Sequence, residues 1–207
     1  METEEKQVEK LKAWLKENGL SIVLGIIIGV GGIGGYNYWM HLKETRAVEA
    51  SAHYTQMMEA LKAGNSEMVQ AQAEMLIADY GSTDYAVMAQ MTLAKSYFTN
   101  AEYEKAESAL RQVVGSAAQQ PLAFVARTRL AVVQLQTGQY DDALSSLAID
   151  FPEQFEAIVN ELRGDIYALQ GKSGEAIEAY RKAQTAQPQP ANVEYLQQKL
   201  DDLGGTG

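Results

Sequence analysis

Chemistry needs nucleophiles, proton carriers or metal ligands that can converge, and this chain offers few of them. His41 and His53 are its only imidazoles and it has no cysteine. That excludes disulfide frameworks, thiolate metal clusters and cysteine nucleophiles, and it leaves too few histidines for a His-based metal site. His53 falls on a predicted helix with no nucleophile arranged beside it, and His41 borders an apolar segment, where an interfacial role is ordinary. The pairs Asp141-Asp142 and Asp201-Asp202 fall at a turn and on a polar helix face, where carboxylates are solvated charges. Residues 29–34, GVGGIG, spell the dinucleotide fingerprint GxGxxG. That motif works only as the turn between a strand and a helix, so within an apolar run it is a coincidence of letters. With 27 acidic against 17 basic residues and a formal charge of -10, no Lys/Arg cluster exists to neutralise phosphates. The residues therefore predict a non-enzymatic protein with no cofactor, metal, small-molecule substrate or nucleic-acid partner.

From Asn18 to Leu42 there is no charged residue. As a helix, Leu20 to Met40 would span ~32 Å, the thickness of a bilayer's hydrocarbon core. Residues 20–40 are thus a predicted transmembrane helix, with Tyr36, Tyr38 and Trp39 at one interface. A cleaved signal peptide fits poorly, because five Glu precede the span and bulky residues end it. Lys6, Lys10, Lys12 and Lys16 before the span, against Lys43 and Arg46 after it, put residues 1–19 in the cytoplasm and 41–203 across the membrane, which is the periplasm if the host is a double-membraned bacterium. Ser21, Gly25 and Gly29, like Gly31 and Gly35, recur at four-residue spacing. Such a stripe permits close packing with another membrane helix, or simply reflects how common glycine is in membrane helices. Val8, Leu11, Trp14 and Leu15 make a short amphipathic helix stopped at Asn18-Gly19. It either lies on the cytoplasmic membrane surface or extends the anchor.

After the span, apolar residues recur with helical period and the four prolines fall between the periodic stretches, so the rest reads as all-α. A repeat is present. Leu93-Ala94, Tyr97, Tyr103, Ala106 and Leu110 are followed by Leu130-Ala131, Gly138, Tyr140, Ala143 and Leu147, then by Gly164, Tyr167, Gly171, Ala176, Tyr180, Ala183 and Pro188. These positions resemble the tetratricopeptide (TPR) repeat, in which a small residue lets two antiparallel helices approach and aromatics fill the space between hairpins. Arg163 and Ser173 depart from the pattern, and extra residues fall in the loop Gly115 to Pro121. A degenerate unit precedes these, roughly Thr45 to Tyr80, turning at Gly64-Asn65-Ser66. Val193, Leu196, Leu200 and Leu203 form the stripe of a capping helix, and 204–207 read as a flexible tail. The expected architecture is one transmembrane helix followed by a TPR-like α-solenoid of three to four hairpins and a cap.

Helical solenoids hold peptides or proteins on a concave face. The TPR register places Met88, Met91, Lys95 and Phe98, then Val125, Thr128, Val132 and Leu135, then Ile158, Asp165 and Leu169 on that face. This mostly apolar set suits a hydrophobic segment or amphipathic helix; alternatively the side chains pack the solenoid itself.

Glu17-Asn18-Gly19 before the span, Gly29-Val30-Gly31 within it, Tyr38-Trp39 at its end and Leu162-Arg163-Gly164 in the last repeat resemble the YfgM family, ancillary subunits of the SecYEG translocon. The resemblance covers nearly the whole chain. It implies a single-pass inner-membrane protein whose periplasmic TPR-like domain partners the membrane-anchored chaperone PpiD and helps nascent secretory proteins at the translocon. The other reading is an envelope regulator or assembly factor that binds one defined protein. A cytoplasmic-facing adaptor would follow if the charge bias misleads.

Overall fold

The computed structural model describes residues 4–116, 121–190 and 192–204. The expected tail from 205 onward and residues 117–120 of the Gly115–Pro121 loop lie outside them. Nine α-helices occur among the described residues, and no strand: α1 (Glu4–Lys62), α2 (Ser66–Asp79), α3 (Asp84–Thr99), α4 (Tyr103–Ser116), α5 (Pro121–Gln136), α6 (Tyr140–Ser146), α7 (Glu156–Leu169), α8 (Ser173–Thr185) and α9 (Val193–Asp202). The chain divides into two compact units, the first ending at Glu49 and the second beginning at Ala50.

In the first unit, α1 is the helix among the described residues that is long and apolar enough to cross a membrane. Ile26, Ile27, Ile28 and Val30 are all exposed, an arrangement stable in lipid and not in water. The helix does not stop at Asn18-Gly19, which corrects the sequence expectation. Asn18 Nδ2 donates to the Trp14 carbonyl at 3.0 Å, four residues back, so its side chain bonds along the helix instead of ending it. Val8, Leu11, Trp14 and Leu15 therefore belong to a helical extension of the apolar stretch.

The second unit is built of four helical hairpins and a cap. The last turns of α1 (Ala50, Met57, Ala60) pack on α2 (Val69, Ala73, Leu76) and on Ala89 and Leu93 of α3. Met91 and Ala94 pack on α4 (Ala106, Ala109, Leu110, Val113) and on α5 (Ala126, Leu130, Val133). Ala131, Ala143 and Leu147 meet Val159, Leu162 and Ile166 of α7, while Ala176, Tyr180 and Ala183 of α8 are covered by Leu196 and Leu200 of α9. The first three clusters each include a helix of the next hairpin, which is how a solenoid acquires a continuous core from units that cannot bury a face alone. Burying a residue such as Leu110 or Ile166 contributes about 1.5–3 kcal/mol of transfer free energy.

All four hairpin turns close in the same way. Asn65, Glu102, Gln139 and Lys172 donate their backbone N–H to Ala60, Tyr97, Gln134 and Tyr167 at 2.8–2.9 Å. This is the Schellman closure, and it requires a left-handed residue just before the donor. Gly64, Gly138 and Gly171 supply it at φ 71–75°, but the second hairpin uses Ala101 at φ 61°. An alanine there carries a Cβ clash that glycine avoids. Ala101→Gly is therefore expected to raise stability by about 0.5–1 kcal/mol, read as a higher denaturation midpoint with an unchanged m-value.

Candidate protein-docking cleft

Between α3 and α5 lies a cleft of about 280 Å³ lined by Ala94, Lys95, Phe98, Leu110, Arg129, Val132 and Val133. Its floor is apolar, and Lys95 and Arg129 add two exposed cations. Phe98 is braced edge-on by Tyr103, ring centroids 5.5 Å apart, so its face is held in place.

Three residues expected on the concave face, Lys95, Phe98 and Val132, line this cleft. Two are buried and are corrected here. Met91 and Thr128 are buried, both 5% exposed, because their helix faces turn into the hairpin core, and the Thr128 hydroxyl donates to the Val125 carbonyl. Met88 and Val125 are half-buried, Val125 against the core formed by α3, α4 and α5, and Leu135 packs on the core of the third hairpin. Ile158 and Leu169 stand exposed on α7. Arg129, which the register did not select, follows Val125 by four residues and precedes Val132 by three; that shared-face spacing was present in the sequence. A neighbouring aromatic group was also missed: Phe124, Phe151 and Phe155 meet with centroids 5.7–6.1 Å apart.

Asp165 does not offer a free carboxylate. Its Oδ1 accepts from the Tyr180 hydroxyl and from Lys199 Nζ, both at 2.7 Å. Lys199 also donates to Glu161 at 2.9 Å, Asn192 Nδ2 donates to the other Glu161 oxygen at 3.0 Å, and the ammonium sits 4.7 Å from the Tyr195 ring centre and 5.4 Å from that of Tyr180. Burial alone would lower the Lys199 pKa, but hydrogen bonds to Asp165 and Glu161 and their charges outweigh it and hold it above the ordinary lysine value. Burial and the hydrogen bond to Asp165 push the Tyr180 phenol up. These groups fasten α9 over the last hairpin. Arg163, the departure from the TPR pattern, donates through Nη2 to the Leu147 carbonyl at 2.6 Å and so satisfies the end of α6.

A second polar cluster joins α4 to the third hairpin. Glu107 accepts from Arg111 (2.7 Å), Gln134 and Gln139 (both 3.3 Å), and the fully buried Gln134 amide lies 2.8 Å from Ser146 Oγ. Burial tends to raise the Glu107 pKa, but hydrogen bonds from Arg111, Gln139 and Gln134 bring it below the ordinary value of 4.5. A depressed carboxyl contributes stability that is present above its unfolded value and lost as pH falls through the folded one. Denaturant curves at about pH 6 and about pH 3.5 are expected to show a smaller acid loss for Glu107→Gln than for the natural chain.

The histidine and the glycine stripe complete the inventory. His53 Nδ1 lies 3.1 Å from Gln72 Oε1 and its ring centre 5.6 Å from that of Tyr80, so it ties α1 to α2. A Cβ at Gly25, Gly29, Gly31 or Gly35 would meet nothing within 4 Å, and Ser21 shares the exposed surface of that helix.

Stacked hairpins that present a cleft to a partner are the working plan of a TPR-like α-solenoid, and that is the class of this fold. The family model described as Tetratricopeptide repeat-like domain matches residues 12–205. The chain belongs to the family of ancillary SecYEG translocon subunits, the YfgM family. It is 33% identical to the Ancillary SecYEG translocon subunit of Escherichia coli K12 over 98% of this chain and 97% of that one. The proteins of the same description from Haemophilus influenzae and Neisseria gonorrhoeae are 32% and 30% identical, over 97% of both chains in each case. Among solved structures, the MamA RS-1 ArsTM double mutant matches with a TM-score of 0.52 at 16% identity, covering 75% of this chain and 92% of that one, a likeness of fold alone.

Proposed function

We propose that this protein is a non-enzymatic accessory of a SecYEG-type translocon in the inner membrane, with its N-terminus cytoplasmic and its TPR-like unit periplasmic. There it holds a PpiD-like membrane-anchored chaperone or a newly exported chain while α1 docks in the bilayer. The carrying observation is the similarity to proteins described as translocon subunits across 97–98% of the chain, apolar helix included. The cleft between α3 and α5 supports a protein-holding role, and the unobstructed glycine stripe on α1 supports contact with another membrane helix.

Affinity purification of the tagged full chain in mild detergent tests this reading. SecYEG subunits are expected in near-stoichiometric amount, and a C-terminal reporter that is active only outside the cytoplasm is expected to be active. Absence of the translocon under conditions that preserve SecYEG itself overturns the reading.

A further inference from the structure

We infer that the cleft between α3 and α5 selects acidic amphipathic segments: one large apolar side chain enters against Phe98 and Val132 while flanking carboxylates pair with Lys95 and Arg129. The inference rests on the reading above, that the TPR-like unit holds a protein, and it specifies the chemistry of what is held.

The chain carries -10 overall, so its cations are scarce and most in the TPR-like unit are already engaged. Lys105, Arg111, Lys182 and Lys199 each pair with a carboxylate, Arg163 with the Leu147 carbonyl, and Lys172 with the Tyr167 ring. Lys95 and Arg129 make no ion pair among the described residues, though both are exposed and 20 Asp and Glu side chains in residues 50–207 could have been placed opposite them. They stand on successive hairpins and line one apolar cleft. Unpaired cations beside an apolar floor attract a ligand with the opposite pattern and repel a basic one, so they set selectivity more than raw affinity. The cleft's volume of about 280 Å³ accommodates one or two large side chains, not a folded surface. An arginine also grips a carboxylate bidentately, which fixes the register of the bound segment.

The test uses the full chain in detergent and a peptide array of 13-mers that share a Leu-Phe centre but carry flanking Glu, Gln or Lys. The Glu series is expected to bind at least tenfold more tightly than the Lys series, with Gln between them. In Lys95→Glu/Arg129→Glu that order inverts while binding of the Gln series changes less than threefold. Equal binding of the three series, an order unchanged by the double reversal, or no binding by any series overturns the inference. Co-purification of SecYEG with both chains is read in parallel. If it persists while the array fails, only the cleft chemistry is wrong; if it is lost from the natural chain, the broader reading has failed.

Discussion

Gly164→Ala is expected to destabilise the TPR-like unit by about 2–3 kcal/mol, more than ordinary surface substitutions by a wide margin. A Cβ at position 164 would lie 2.5 Å from Tyr180 Cδ1 and 2.9 Å from Cζ, and would overlap Cε1 as well. The ring cannot swing aside cheaply. It is 3% exposed, packed with Ala176, Ala183, Leu196 and Leu200, and its hydroxyl is held by Asp165 at 2.7 Å. Either α7 and α8 move apart, opening the last hairpin, or the ring leaves its rotamer and gives up that hydrogen bond. Denaturant unfolding of the single variants and of Gly164→Ala/Tyr180→Leu would show the coupling. The second substitution is expected to cost less in the Gly164→Ala chain than in the natural one, because it removes the group being struck.

Removing the ammonium that fastens the cap is the second large effect. Lys199→Met is expected to cost about 2 kcal/mol, since Glu161 and Asp165 would be left facing each other without a counter-charge at a site where the three side chains are only 16–27% exposed. Hydrogen exchange would report where the loss falls: faster exchange in α9 and around Tyr180, with α2 to α4 unaffected. Neutralising the carboxylates as well, in Lys199→Met/Glu161→Gln/Asp165→Asn, is expected to recover part of the stability, because no uncompensated charge then remains. Lys199 has a raised pKa, so its contribution is complete below the unfolded lysine value of 10.5 and disappears only as pH rises through the higher folded value. The cap is therefore held by this ion pair throughout the neutral range.

How much of this the sequence carried depends on whether the signal was local. The repeat was legible because Leu-Ala, a turn and Tyr recur in phase, and the same phase reappears as four identical turn closures. Ala101 was not legible as the second turn's left-handed residue. Alanine carries no turn signal, and its φ of 61° is imposed by the helices on either side. Asn18-Gly19 read as a helix end because those residue types end helices more often than they sit inside them, yet the helix runs through them into the long apolar stretch, and the Asn18 side chain bonds back to the Trp14 carbonyl instead of capping an end. Lys95, Phe98 and Val132 were found by register, whereas Met91 and Thr128 differ from them by less than a turn of rotation, finer than a consensus register resolves. The bonds among Glu161, Asp165, Tyr180 and Lys199 join three helices over 15 to 38 residues of sequence, so no window of the chain contains the pattern.

The central claim is that the cleft faces partners at the secretion channel, and photo-crosslinking in living cells from an amino acid placed at Phe98 or Val132 tests it most directly. Translocon subunits, a membrane-anchored chaperone or nascent secretory chains are the expected adducts, with the same label at fully buried Ile166, outside the cleft, giving none. A single unrelated envelope protein captured from both positions, or no adduct from a folded chain, would contradict it.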